Sequence, residues 1–153
     1  MCKVAHIWSD GSCSHNQGKG GYAAVIMYDG KGKIIYGSEE HTTNNRMELT
    51  AFISGIRQAI NDNGCKTEIV VYTDSKYIEN AINCKWINRW NLNGYKGIKN
   101  PDLWRSVWDL LSVYTVEVVW VKGHADVENN KLADEFAVIA RVESIPAETV
   151  ISM

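Results

Sequence analysis

Glu68-Ile69-Val70-Val71-Tyr72-Thr73-Asp74 is an unbroken apolar run closed by an aspartate. Such a run has no side to turn to water, so it reads as a strand buried on both faces, as in a parallel pair covered by helices. Val4-Ala5-His6-Ile7-Trp8-Ser9-Asp10 has the same form and the same ending, with Gly11 marking a turn. Two buried strands that each stop at a carboxylate set the frame for the rest of the chain.

Between them lie Tyr22 to Tyr28 and Lys33 to Gly37, joined at Asp29-Gly30 in the manner of a hairpin. With the first run they make three antiparallel strands. From Asn45 to Ile60 the period changes: Leu49, Phe52, Ile53, Ile56, Ala59 and Ile60 share one helical face, with Asn45 as the cap three residues before Glu48. Beyond Asp74, Ser75 to Trp90 has a helical pattern, and Trp104, Val107, Trp108 and Leu111 space a second helix over Leu103 to Leu111. Val116 to Val121 is a third buried strand, Gly123 to Asn129 a polar loop, and Asn130 to Val142 a last helix. Pro146 marks a tail, 144–153, expected to be loosely ordered. The order predicts an α/β domain over 1–143: one mixed five-stranded sheet, three antiparallel strands followed by parallel ones, flanked by helices.

With 153 residues, 45% of them hydrophobic, the chain suits a single core. A net charge of -2 excludes a broad basic field for holding nucleic acid. Any such contact is local, through a small Lys/Arg cluster or through divalent cations that invert the sign of an acidic site. Cys2, Cys13, Cys65 and Cys84 form no C-x-x-C pair, which argues against a zinc site or a disulfide framework and for a reducing cytoplasm. Lys3, His6 and Asp10 interrupt any secretory signal, and no stretch reaches the roughly 20 apolar residues a membrane span requires. Gly18-Lys19-Gly20-Gly21-Tyr22-Ala23 spells a dinucleotide fingerprint, but a β-type run follows where a helix is required.

Asp10 and Asp74 each end a buried strand, where open α/β sheets bind ligands; if the two strands are neighbours and parallel, the carboxylates sit side by side. Glu48 lies about 100° round its helix from Leu49, flanking the core face without entering it. Asp134 holds the equivalent place early in the last helix. Taken singly, each acid reads as a solvated surface group; converging, they must take up a proton or bind cations. An oxygen-only donor set favours Mg2+ or Mn2+ over zinc. Two such ions about 3.5 to 4 Å apart suit in-line hydrolysis of a phosphodiester, acidifying a water and stabilising the departing oxygen. His124, in the polar loop, is suited to carry a proton. His6, His15 and His41 read as surface residues.

Asp10-Gly11-Ser12, Thr42-Thr43-Asn44-Asn45-Arg46-Met47-Glu48-Leu49, Tyr72-Thr73-Asp74-Ser75, and Trp120-Val121-Lys122-Gly123-His124-Ala125 with Asp134 ten residues on resemble type 1 ribonucleases H. The likeness runs from about Val4 to Arg141. It implies a ribonuclease-H-like fold and an endonuclease that hydrolyses the RNA strand of RNA-DNA hybrids, leaving 5'-phosphate and 3'-hydroxyl ends. By the same resemblance Asp10, Glu48, Asp74 and Asp134 hold two Mg2+ ions, replaceable by Mn2+, with Asp10 shared and His124 assisting proton transfer or product release. Ser12, Cys13, Asn16, Asn44, Asn45 and Lys76 match minor-groove contacts, where 2'-hydroxyls distinguish RNA from DNA. Thr43 and Asn100 match a pocket for a DNA phosphate, and Trp86 and Trp90 match aromatics on which the DNA strand rests. Trp104 and Trp108 read as core.

Many bacterial relatives carry a lysine-rich protrusion, whereas 85–105 here offers only Lys85, Arg89, Lys96, Lys99 and Arg105. Fewer phosphate contacts imply looser hybrid binding with a shallow salt dependence. Ala125-Asp126-Val127-Glu128-Asn129 is more acidic than expected beside His124. Integrases, resolvases and reverse-transcriptase domains share the fold class, but the Thr-Asn-Asn-Arg-Met-Glu motif and the chain's length argue against them. The contrasting alternative is a catalytically silent hybrid-binding module, disfavoured by the presence of all four carboxylates. A monomer without an obligatory protein partner is expected.

Overall fold

The computed structural model describes residues 3–15, 18–64, 66–122 and 128–153. Strands β1 (Val4–Cys13), β2 (Gly20–Tyr28) and β3 (Lys31–Glu39) form an antiparallel meander. Asp29 and Gly30 turn the hairpin with positive φ at both positions, as a two-residue loop matched to strand twist requires. Helix α1 (Asn44–Asn63) leads to β4 (Glu68–Thr73), which pairs parallel to β1. Helices α2 (Lys76–Asn83), α3 (Trp86–Leu92) and α4 (Pro101–Val113) precede β5 (Val116–Trp120), parallel to β4. Helix α5 (Glu128–Glu143) and β6 (Thr149–Ser152) follow, and the sheet order is β5-β4-β1-β2-β3-β6.

Period-2 alternation divides the core in two. Ala5, Ile7, Ala24, Ile26 and Ile35 face Leu49, Phe52, Ile53 and Ile56 of α1, in a cluster continuing through Val71, Ile78, Trp104 and Val118. Val25 and Ile34 point the other way, onto Ala133 of α5, with Trp8, Met27, Tyr36 and Phe136 around them. The sheet therefore carries a helix on each face, as buried parallel strands demand. Among the described residues no helix is long and apolar enough to cross a membrane, and Cys13 and Cys84 are free thiols. Cys2 and Cys65 lie outside the described residues.

The mixed α/β sheet and its strand directions match the sequence-based expectation, with four differences. Among the described residues there are six strands, not five, and the sixth lies within the expected tail. Thr149, Val150 and Ile151 are β-branched, and the edge of β3 lay open to them: Ile34 pairs with Ile151, and the Met153 amide donates to the Gly32 carbonyl at 2.9 Å. Second, β1 does not stop at Asp10 but continues to Cys13, because β2 offers a partner as far as Gly20. Third, the span Ser75 to Trp90 is two helices. The chain turns through Lys85 in the left-handed region at φ 60, a break that apolar spacing passes over. Fourth, Thr43 rather than Asn45 caps α1, its Oγ1 accepting from the Arg46 amide at 3.2 Å.

Candidate active site

Trp8 of β1 pairs with Tyr72 of β4, so Asp10 and Asp74, each two residues further on, stand level at the same end of the sheet. Glu48 reaches them from the first turns of α1. One carboxylate oxygen from each of the three lies within 4.8 Å of the others. Asp134 approaches from α5, on the opposite face, and lines a small recess with Asp10, Asp74, Asn130 and Lys131. A second recess, bordered by Asn44, Asn45, Glu48, Asp74, Ser75 and Lys76, opens on the α1 side.

Gly11 makes this approach feasible. A Cβ there would stand 2.5 Å from the Glu48 amide nitrogen and 2.6 Å from the Met47 carbonyl carbon, so only hydrogen lets the start of α1 lie against β1. The Gly11 amide donates to Asp10 Oδ1 at 2.9 Å and also supports the Glu48 carboxylate. Glu48, expected beside the core face, enters it: it is 6% exposed, as is Asp10. The close contact at Gly11 is the reason, and sequence periodicity carries no sign of it.

Burial first, then the Asp74 and Asp134 carboxylates, pushes the Asp10 carboxyl up to about 8. Burial and the charges of Asp10 and Asp74 likewise hold Glu48 well above the usual carboxylate range. Glu48 Oε2 is buried with no hydrogen-bond partner among the described residues. An orphaned buried carboxylate oxygen is costly, and it faces a set of hard oxygen donors. A divalent cation that prefers oxygen fits this donor set and removes both the repulsion and the orphan.

The remaining sequence-predicted residues fall into three groups. Asn44, Asn45 and Lys76 border the carboxylate recess; the Lys76 ammonium lies 4.1 Å over the Trp120 ring and 3.3 Å from Glu79 Oε1. Ser12 accepts from Arg141 Nε at 3.0 Å, and Cys13 Sγ donates to the His15 carbonyl at 2.7 Å. Thr43 and Asn100 are brought together by a residue that sequence reasoning passed over. Arg46 donates to Asn100 Oδ1 at 3.2 Å and grips Asp102 with two further bonds at 3.0 and 2.8 Å. The fork geometry of such a bidentate pair is invisible in sequence.

Trp86 and Trp90 stand 6.5 Å apart, centroid to centroid, lining a groove with Arg89. Trp86 is exposed, whereas Trp90 meets Trp104 edge-on at 5.2 Å. Trp104 is fully buried and donates to the Tyr77 hydroxyl at 2.8 Å, and Trp108 packs on the same core, as expected of both. His6, expected at the surface, is half-buried instead, its Nδ1 3.0 Å from the Tyr72 hydroxyl. Sequence reasoning also passed over Asn130, Lys131 and Trp120; a residue four or three before Asp134 on a helix was the available signal for the first two. His124 and Asn16 lie outside the described residues.

A family model for RNase H matches residues 3–141. A ribonuclease H from Caldicellulosiruptor saccharolyticus is 46% identical over 140 residues, covering 88% of this chain and 94% of its own. One from Francisella tularensis subsp. novicida is 45% identical over 143 residues, covering 90% of this chain and 91% of its own. Among solved structures, LC9-RNase H1, a type 1 RNase H with the type 2 active-site motif, superposes with a TM-score of 0.87 at 28% identity. It covers all of this chain and 79% of its own.

Proposed function

This chain belongs to the ribonuclease H family, endonucleases that hydrolyse the RNA strand of RNA-DNA hybrids, and from that premise we propose that residues 1–143 cut such hybrids with a pair of Mg2+ ions held by Asp10, Glu48, Asp74 and Asp134. The observation that carries this reading is the convergence of Asp10, Glu48 and Asp74 from three separate elements, with oxygens within 4.8 Å and Asp134 alongside. Bound together, two divalent cations supply acidification of a water and neutralisation of charge on a departing oxygen; Mn2+ substitutes for Mg2+. Products carry 5'-phosphate and 3'-hydroxyl ends.

The chain's own part is orientation and exclusion. Asp10 interacts with both Glu48 and Asp134 and would serve both ions, its direction fixed by the Gly11 amide. Burial of Asp10 and Glu48 keeps water from competing for their oxygens. Asn44, Asn45 and Lys76 hold the RNA strand through its minor-groove edge, and Ser12, Cys13 and Asn16 are assigned to the same groove by family resemblance. Thr43 and Asn100, joined by Arg46, take a phosphate of the DNA strand, and Trp86 and Trp90 support that strand. His124 moves a proton near the departing oxygen. The enzyme works as a monomer in the cytoplasm, where Cys13 and Cys84 stay reduced.

End-labelled RNA-DNA hybrid, incubated with Mg2+ beside single-stranded RNA, duplex RNA and duplex DNA, tests the proposal. Cleavage confined to the RNA of the hybrid, and abolished in Asp74→Asn, is the expected outcome. Hybrid binding without cleavage in the wild-type chain would favour the silent module. Undiminished cleavage by Asp74→Asn would discard the metal arrangement.

A further inference from the structure

We propose that Trp120 is a positioning residue that ties the metal-holding Asp74 to Lys76 at the border of the carboxylate recess; the inference rests on Asp74 being a metal ligand. Asp74 lies just past the last residue of β4, where ladder pairing ends. Its main chain is pinned from outside the strand. Trp120 is the last residue of β5 and pairs with Thr73, and its indole Nε1 donates to the Asp74 carbonyl at 3.2 Å. The next amide, of Val121, donates to the Thr73 carbonyl at 2.9 Å. From the other side Thr73 Oγ1 accepts from the Ser75 amide at 3.1 Å, and Ser75 Oγ caps α2 by accepting from the Ile78 amide at 3.2 Å. Three consecutive residues are thereby fixed in orientation, with Asp74 in the middle.

The same indole does a second thing. Its ring centroid lies 4.1 Å from the Lys76 ammonium, which also meets Glu79 Oε1 at 3.3 Å. Lys76 borders the recess that also contains Glu48 and Asp74. Trp120 is 39% exposed, so its size is not explained by burial alone. One ring thus sets a ligand with its edge and a cation with its face. Partners that orient a metal ligand without touching the ion commonly govern affinity for it.

Phenylalanine keeps the ring face and removes the N–H; leucine removes both. Mn2+ binding to the hybrid-free protein is measured by calorimetry, and hybrid binding in EDTA by fluorescence anisotropy, with melting temperature and circular dichroism confirming the fold. Trp120→Phe is expected to weaken Mn2+ roughly tenfold while hybrid affinity in EDTA stays unchanged. Trp120→Leu is expected to weaken Mn2+ equally and hybrid by about threefold, as loss of an exposed cation–π seat implies. Wild-type Mn2+ affinity in Trp120→Phe would overturn the edge role, and equal hybrid affinity in the two variants would overturn the face role. Should Trp120→Leu fail to fold, Trp120→Met replaces it; hybrid affinity about threefold below that of Trp120→Phe supports the face role and equal affinity overturns it. Asp74→Asn separates the two levels. If it binds Mn2+ like the wild type, the reading of Asp74 as ligand falls; if it loses Mn2+ while Trp120→Phe does not, only the role of Trp120 falls.

Discussion

Helix α1 carries a carboxylate near each end, and the two ends treat theirs in opposite ways. Glu48 and Asp62 are fourteen residues apart, about 21 Å along the axis. At the far end, burial alone would lift the Asp62 carboxyl, but Lys33 at 3.0 Å, Tyr28 at 2.8 Å and Gln58 at 3.1 Å outweigh it and hold it below its usual value. At the near end Glu48 and Asp10 meet other carboxylates, and both are raised. The fold stabilises half-buried Asp62 with three side-chain donors, whereas Asp10 and Glu48 rely on the Gly11 amide and, among the described residues, Glu48 Oε2 has no partner. Carboxylates crowded at one end of a helix whose other acid is compensated must take up a proton or an external cation, and that crowding is what makes this end suited to a metal.

Four measurements test this contrast. Asp10→Asn should cost cleavage of hybrid at least a thousandfold, about 4 kcal/mol, yet raise the melting temperature in EDTA by removing repulsion. A lower melting temperature there would mean that Asp10 is satisfied within the fold. Gly11→Ala pushes a methyl into the backbone of Met47 and Glu48 and should cost about 3 kcal/mol in urea unfolding, with Mn2+ affinity falling alongside.

Acidity separates the two ends without mutation. Asp10 is raised from 3.8 to about 8, so the stability its protonated form contributes is complete below pH 4 and lost as pH climbs through 8. Asp62 is lowered, so its contribution is present above pH 4 and lost only at more acidic values. Metal-free protein should therefore be more stable at pH 5 than at pH 8.5, by as much as about 4 kcal/mol, and Mg2+ should erase the difference. A flat profile in EDTA would remove the electrostatic argument. The smallest effect belongs to Asp62→Ala: about 1 kcal/mol of stability lost, with hybrid cleavage within twofold of the wild type.

Much of this was legible from residue order. The two apolar runs ending in Asp10 and Asp74 gave the parallel pair, and alternation gave the meander, because side-chain period is a local property. What the sequence withheld depends on contacts between distant segments. Nothing near Pro146 announces that Ile151 will find Ile34, and nothing in the spacing from Ile78 to Ile87 reveals the left-handed turn at Lys85. In the site, the acids were readable from type and position. Burial of Glu48 was not, since it follows from a missing side chain at Gly11; nor was the convergence of Arg46, Asn100 and Asp102, which joins residues 54 and 56 positions apart.

The parallel ladder between β1 and β4 closes at Trp8 and Tyr72, while β1 runs on beside β2 to Cys13. The sheet thus forks, and the acids sit on the two prongs at matching distance from the crotch. A single residue inserted between Val4 and Ser9 would roll Asp10 to the opposite surface of the sheet and separate it from Asp134, although every strand could still form. One more residue in the loop at Asp29-Gly30 would alter nothing at the fork. Spacing on the prongs is consequently the length in this molecule with the least freedom to drift.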